Sequence, residues 1–119
     1  MAGFSRTDRV AQQIQREIAE LIRLQVNDPR VKLVTITGVE VARDYSIAKV
    51  FFTRMDGQHE EALRGLEHAA GFLRSQLSRS LKLRVIPQLH FVYDASVERG
   101  SRLSQLIDQA VSGDKRDDT

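Results

Sequence analysis

Between Glu67 and Asp94 the sequence holds no acidic residue, yet Arg74, Arg79, Lys82 and Arg84 all fall there. Four uncompensated cations exceed the +2 net charge of the whole chain, so the excess is local. Hydroxyls accompany them, Ser75 and Ser78 among these. Guanidinium and ammonium groups neutralise phosphate oxygens and serine hydroxyls donate to them, so the chemistry on offer is phosphate binding. A face kept charged for solubility is the plainer reading, but such a face usually mixes its signs.

Bond-making chemistry finds less to work with. The chain has no Gly-x-Ser-x-Gly elbow, no Gly-Lys-Ser phosphate loop, no Gly-x-Gly-x-x-Gly and no His-x-x-x-His pair. His59 and His68 are nine residues apart, which puts them on opposite sides of one helix, and His90 falls in a strand pattern. All three are read as surface or packing residues, and no catalytic or metal-binding residue is assigned. With no Cys there is neither a disulfide framework nor a thiolate zinc site, and a reducing compartment suits the chain. No apolar run approaches the ~20 residues of a membrane span and none resembles a signal-peptide core, so the expected location is the cytoplasm.

Something must hold the cations in place. At 119 residues, 41 % apolar and 29 % charged, the chain can build one packed core. Val10, Ile14, Ile18, Leu21, Ile22 and Val26 recur at helical spacing, Ser5 and Asp8 fit a capping box, and Asp28-Pro29 stops the helix near Asn27. On its polar side Arg16 and Glu20 are spaced to pair. Residues 33–41 and 47–53 are rich in β-branched and aromatic side chains and are joined by a five-residue loop, a hairpin signal. Within the first strand Val34 and Ile36 fall on one phase and Val39 and Val41 on the other, so a bulge is expected at Thr37-Gly38. A helical pattern then runs through Ala62, Leu63, Leu66 and Ala70 and, past Gly71, through Leu73, Leu77 and Leu81, as two helices meeting at a joint. With the leucines inward, Arg74, Ser75, Ser78, Arg79 and Lys82 form an outward ridge, flanked by Arg84. Residues 88–93 form a third strand with Leu89, Phe91 and Tyr93 on one side. Leu103, Leu106, Ile107, Ala110 and Val111 mark a C-terminal helix, before a disordered polar tail at 114–119.

The order α-β-β-α-joint-α-β, with a three-stranded sheet behind two short helices, is the plan of a KH domain, whose Gly-x-x-Gly loop brings backbone close to a nucleic-acid strand. Here the joint reads Ala69-Ala70-Gly71, with one glycine. Over about residues 7–111 the chain resembles the ribosome-binding factor A family. The resemblance rests on Asn27-Asp28-Pro29-Arg30-Val31, Thr35-Ile36-Thr37-Gly38-Val39-Glu40-Val41 and Ala48-Lys49-Val50. It continues in Gly71-Phe72-Leu73-Arg74-Ser75, Leu81-Lys82-Leu83-Arg84-Val85-Ile86-Pro87 and Phe91-Val92-Tyr93-Asp94.

That resemblance implies an α+β, type II KH-like domain over residues 1–113 in which an Ala-x-Gly kink replaces the Gly-x-x-Gly loop. It implies a non-catalytic factor that binds the free small ribosomal subunit near its neck and contacts its rRNA. Late maturation including the rRNA 5′ end, growth at low temperature and release by a partner GTPase belong to the same expectation. The expected RNA-binding residues are Ala69, Ala70, Gly71, Arg74, Ser75, Ser78, Arg79, Lys82 and Arg84, with no cofactor, no small-molecule substrate and a monomeric state. The competing expectation is a protein-interaction module whose terminal helices carry recognition and whose basic face is incidental.

Overall fold

The structure is a computed structural model and describes residues 5–96. The first helix, α1 (Arg6–Leu24), starts on the expected capping box: Ser5 accepts from the Asp8 amide while Asp8 accepts from the Ser5 amide. Its apolar stripe buries Ala11, Ile14, Ile18 and Ile22. It ends before Asn27 because Asp28 caps a separate 3-10 turn, Pro29–Val31, accepting from the Arg30 amide. Glu20 pairs at 3.4 Å with Arg23 rather than with Arg16.

The hairpin forms as the sequence indicates. Strands β1 (Val34–Val41) and β2 (Ile47–Arg54) are antiparallel, and their register slips between Ile36 and Gly38, so the bulge turns both halves of β1 toward the helices. Tyr45 in the connecting loop has φ 62°, a left-handed conformation costly for an aromatic residue. Strand β3 (Gln88–Tyr93) lies parallel to β2, giving the sheet order β1-β2-β3. Helix α2 (His59–Ser80) is the crossover between those two parallel strands. Tyr93 meets Phe52 edge-on at 6.0 Å, and His59 stacks on Tyr93 at 4.0 Å, a packing role.

Helix α2 is where expectation and structure part. It is one 22-residue helix running through Gly71, not two helices at a joint. Glycine in a helix costs about 1 kcal/mol, whereas a buried leucine contributes about 1.5–3 kcal/mol. Ala69 and Leu73 on either side of Gly71, and Leu66 and Leu77 beyond them, are all buried, so packing outweighs the local preference. The glycine that a close approach does require is Gly65: a Cβ there would lie 2.9 Å from both Arg30 Cβ and Val31 Cγ1 of the 3-10 turn.

Both helices cover one face of the sheet. Ile14 and Ile18 of α1, Leu66, Leu73 and Leu77 of α2, and Ala48, Val50 and Phe52 of β2 make one fully buried core. Arg54, at the end of β2, ties the lower edge together. Its Nη1 donates to the Arg30 carbonyl at 3.1 Å and to Glu61 at 3.0 Å, and its Nε lies 2.9 Å from Asp56 in an ion pair. Burial pulls the Arg54 pKa down, but the bonds to Glu61 and Asp56 prevail and it rises above its ordinary value. The expected C-terminal helix and the tail lie outside the described residues.

Candidate nucleic-acid interface

The exposed side of α2 follows from its buried side. With Ala62, Leu66, Ala69, Leu73 and Leu77 inward, the residues three and four apart on the opposite side share one outward row. Of the residues expected to touch RNA, Gly71, Ser75, Ser78 and Arg79 lie on this outer side and are exposed. Lys82 and Arg84 are exposed on the connection from α2 to β3. Nothing would stand within 4 Å of a Cβ at Gly71, so its surroundings are open. Ala69 faces the core at 9 % exposure and Ala70 packs against it half-buried, so these two shape the surface from beneath.

Arg74 is differently employed. Its Nη2 donates to the Ile86 carbonyl at 2.7 Å and its Nε to the Pro87 carbonyl at 3.2 Å. It braces the helix against the segment that carries Lys82 and Arg84. The Ser78 hydroxyl donates to the Ser75 carbonyl at 2.6 Å, an ordinary use for serine in a helix. The cations left facing outward in this stretch are therefore Arg79, Lys82 and Arg84. Arg79 also sits in the last turn of α2, where a positive charge complements the helix dipole.

Three members of the outer row, Arg64, His68 and Phe72, lie outside the residues expected from the sequence. Arg64, His68, Phe72, Ser75 and Arg79 follow one another at spacings of three and four along α2, and all are exposed, Phe72 by 41 %. The available signal was phase: Phe72 follows the exposed His68 by four residues and is turned about 100° from the buried Leu73. Beside it the α1-to-β1 connection and α2 enclose an open hollow of about 380 Å³. Val26, Asn27 and Pro29 line it from one side, and His68, Ala69 and Phe72 from the other.

The Asp28 carboxylate on the same rim is held by Arg30, whose backbone amide, Nε and Nη2 together give it four contacts of 2.7–3.2 Å. Those hydrogen bonds bring its pKa down to about 2. Among the described residues no three His, Asp or Glu side chains gather as a metal site, and no helix is long and apolar enough to cross a membrane.

Comparison with known proteins decides the family. A family model described as Ribosome-binding factor A matches residues 6–107. The chain belongs to the ribosome-binding factor A family. A ribosome-binding factor A from Nitrosospira multiformis is 60 % identical over 114 residues, covering 94 % of this chain and 90 % of the relative. One from Nitrosomonas europaea is 64 % identical over 110 residues, covering 91 % and 94 %. Among solved structures, the ribosome-binding factor A crystal structure from Thermus thermophilus superposes with TM-score 0.69 at 30 % identity, covering 75 % of this chain and 97 % of that one. A homology model of the Thermus thermophilus ribosome-binding factor A, fitted into the cryo-EM map of a complex of that protein with 30S, gives TM-score 0.60 at 32 % identity, covering 71 % and 91 %. The fold is accordingly α+β and KH-like, and members of the ribosome-binding factor A family are binding proteins, not enzymes.

Proposed function

We propose that this protein binds the small ribosomal subunit through its rRNA, gripping phosphates with Arg79, Lys82 and Arg84 along the outer side of α2 and the connection after it. The observation that carries this reading is a run of exposed cations, from which acidic residues are absent between Glu67 and Asp94, in a family one of whose members has been fitted into a 30S complex. Phosphate contacts fix position on a folded RNA without reading its sequence, as a factor that recognises one shaped region requires.

Gly71, with open space above it, is where an RNA strand can approach the backbone of α2 most closely. Ala69 and Ala70 support that approach, Ser75 and Ser78 border it, and Arg74 positions its far end. Residues 1–113 act as one RNA-binding domain and the protein works as a cytoplasmic monomer. It assists late maturation of the subunit, including the 5′ end of its rRNA, with release by an assembly GTPase and a greater demand for it in the cold. The reading needs no cofactor, metal or small-molecule substrate.

The test is a triple charge reversal, Arg79→Glu, Lys82→Glu and Arg84→Glu, followed by sedimentation with purified small subunits. Loss of co-sedimentation by a variant with unchanged circular dichroism is expected; undiminished co-sedimentation overturns the reading. A second reading, recognition of a protein partner, draws on a cleft of about 540 Å³ between α1 and β1 floored by Ile22, Val34 and Ile36. It predicts capture of a partner that survives ribonuclease and moderate salt, whereas rRNA binding is lost under both.

A further inference from the structure

The hollow beside Phe72 differs in chemistry from the phosphate ridge it adjoins. Val26, Pro29 and Ala69 make it apolar, and Phe72 leaves an aromatic side 41 % exposed at its edge, with His68 one turn before. The Asp28 carboxylate on its rim is already paired with Arg30, so the hollow's own lining offers a phosphate no free guanidinium or ammonium group. Asn27, in contrast, makes no hydrogen bond among the described residues and lines the same hollow, with an amide that offers one acceptor and a pair of donor hydrogens. A neutral, planar occupant with a donor beside an acceptor on its edge satisfies all of these.

We infer that the hollow formed by Asn27, Pro29, His68, Ala69 and Phe72 is a nucleobase subsite that takes one unstacked adenine from a single-stranded stretch of RNA. The base lies against the Phe72 ring, and its N6 and N7 edge meets the carbonyl oxygen and NH2 of Asn27, the bidentate pairing by which an amide distinguishes adenine. The backbone on either side of that base is met by cations of the same row: Arg64 is eight residues before Phe72 and Arg79 seven after, about 12 and 10 Å along the helix. The hollow, at about 380 Å³, accommodates a base without rearrangement. This inference rests on the RNA-binding reading above and adds to it a contact that reads the base.

The chain contains no Trp, so Phe72→Trp places a single indole reporter at the site in the full chain. Titration with a ten-nucleotide oligoadenylate should quench its emission saturably, while inorganic polyphosphate, which can occupy the ridge alone, should not. Oligouridylate should bind about tenfold more weakly, and Asn27→Ala should abolish that difference, each good bidentate pair being worth about five- to a hundred-fold in discrimination. Phe72→Leu, which keeps the apolar bulk and removes the ring, should weaken oligoadenylate binding about tenfold without changing its salt dependence.

Binding of labelled oligoadenylate, seen by anisotropy, with no response from the indole and no loss in Phe72→Leu overturns the subsite and leaves the ridge standing. An indole already blue-shifted before RNA is added means that the chain itself or a protein partner fills the hollow, which also overturns it. If the unaltered chain binds neither small subunits nor oligonucleotides, the RNA-binding reading falls and the subsite with it.

Discussion

Arg74 Nη2 lies 2.7 Å from the carbonyl oxygen of Ile86, twelve residues further along the chain. A cation that the sequence placed among RNA ligands is thereby a brace between α2 and the approach to β3. Pro87, whose carbonyl takes the second bond, is fully buried. Arg74→Ala should destabilise the fold by about 1.5–3 kcal/mol, the range for hydrogen bonds that involve a charged group. Urea denaturation measures it. Arg74→Lys should recover only part of the loss, since one ammonium cannot reproduce the two-pronged geometry.

Gly65 and Gly71 make opposite predictions. At Gly71 a methyl group meets nothing, so Gly71→Ala should stabilise α2 by up to about 1 kcal/mol through helix propensity. If RNA approaches the backbone there, small-subunit binding should weaken in the same variant, a gain in melting temperature paired with a loss of affinity. At Gly65 the methyl meets Arg30 and Val31 at 2.9 Å, and overpacking of about 1–3 kcal/mol exceeds the propensity gain, so Gly65→Ala should melt earlier.

Salt dependence counts the phosphate contacts. With Arg74 engaged internally, three cations remain, Arg79, Lys82 and Arg84. At roughly 0.7 per contact for a single strand, these three give a log–log slope of binding against salt of about two, and Arg64 raises it to about three when a strand crosses the hollow beside Phe72. Each charge-removing variant of the three should lower it by about 0.7, whereas Arg74→Gln should leave it unchanged.

Much of this architecture was legible because it rests on local periodicity. The five-residue hairpin loop, the bulge at Thr37-Gly38 and the inward leucines at 73, 77 and 81 each left a phase or spacing in the chain. What could not be read depends on neighbours distant in sequence. The partners of Arg74 lie beyond the end of its helix, and nothing local distinguishes it from Arg79. Gly71 looked like a break because propensity is local, while the core that keeps α2 whole is not. Gly65 carried no mark of the 3-10 turn pressed against it. Phe72 was hidden by its type, since an aromatic residue in a helix is first taken for core.

Asp28 supplies an acid-sensitive joint. Its folded pKa of about 2 is below the ordinary 3.8, so its contribution to stability is present above about pH 4 and is lost as pH falls toward 2. Carboxyl-carbon NMR should show its titration midpoint near 2. Asp28→Asn should lower stability at neutral pH and flatten the decline over that window, because the neutral amide holds Arg30 less strongly in both conditions.

The parallel pairing of β2 with β3 has a consequence for synthesis. A hairpin closes as soon as its second strand exists, but a strand reached through a crossover helix arrives last. Since Arg74 is braced by the two residues immediately preceding that strand, a nascent chain cannot set the basic segment in place before residues 86–93 have been made. If that basic segment is the rRNA-binding surface proposed above, a prematurely terminated product lacks it, and the order of the chain keeps an incomplete factor off the subunit.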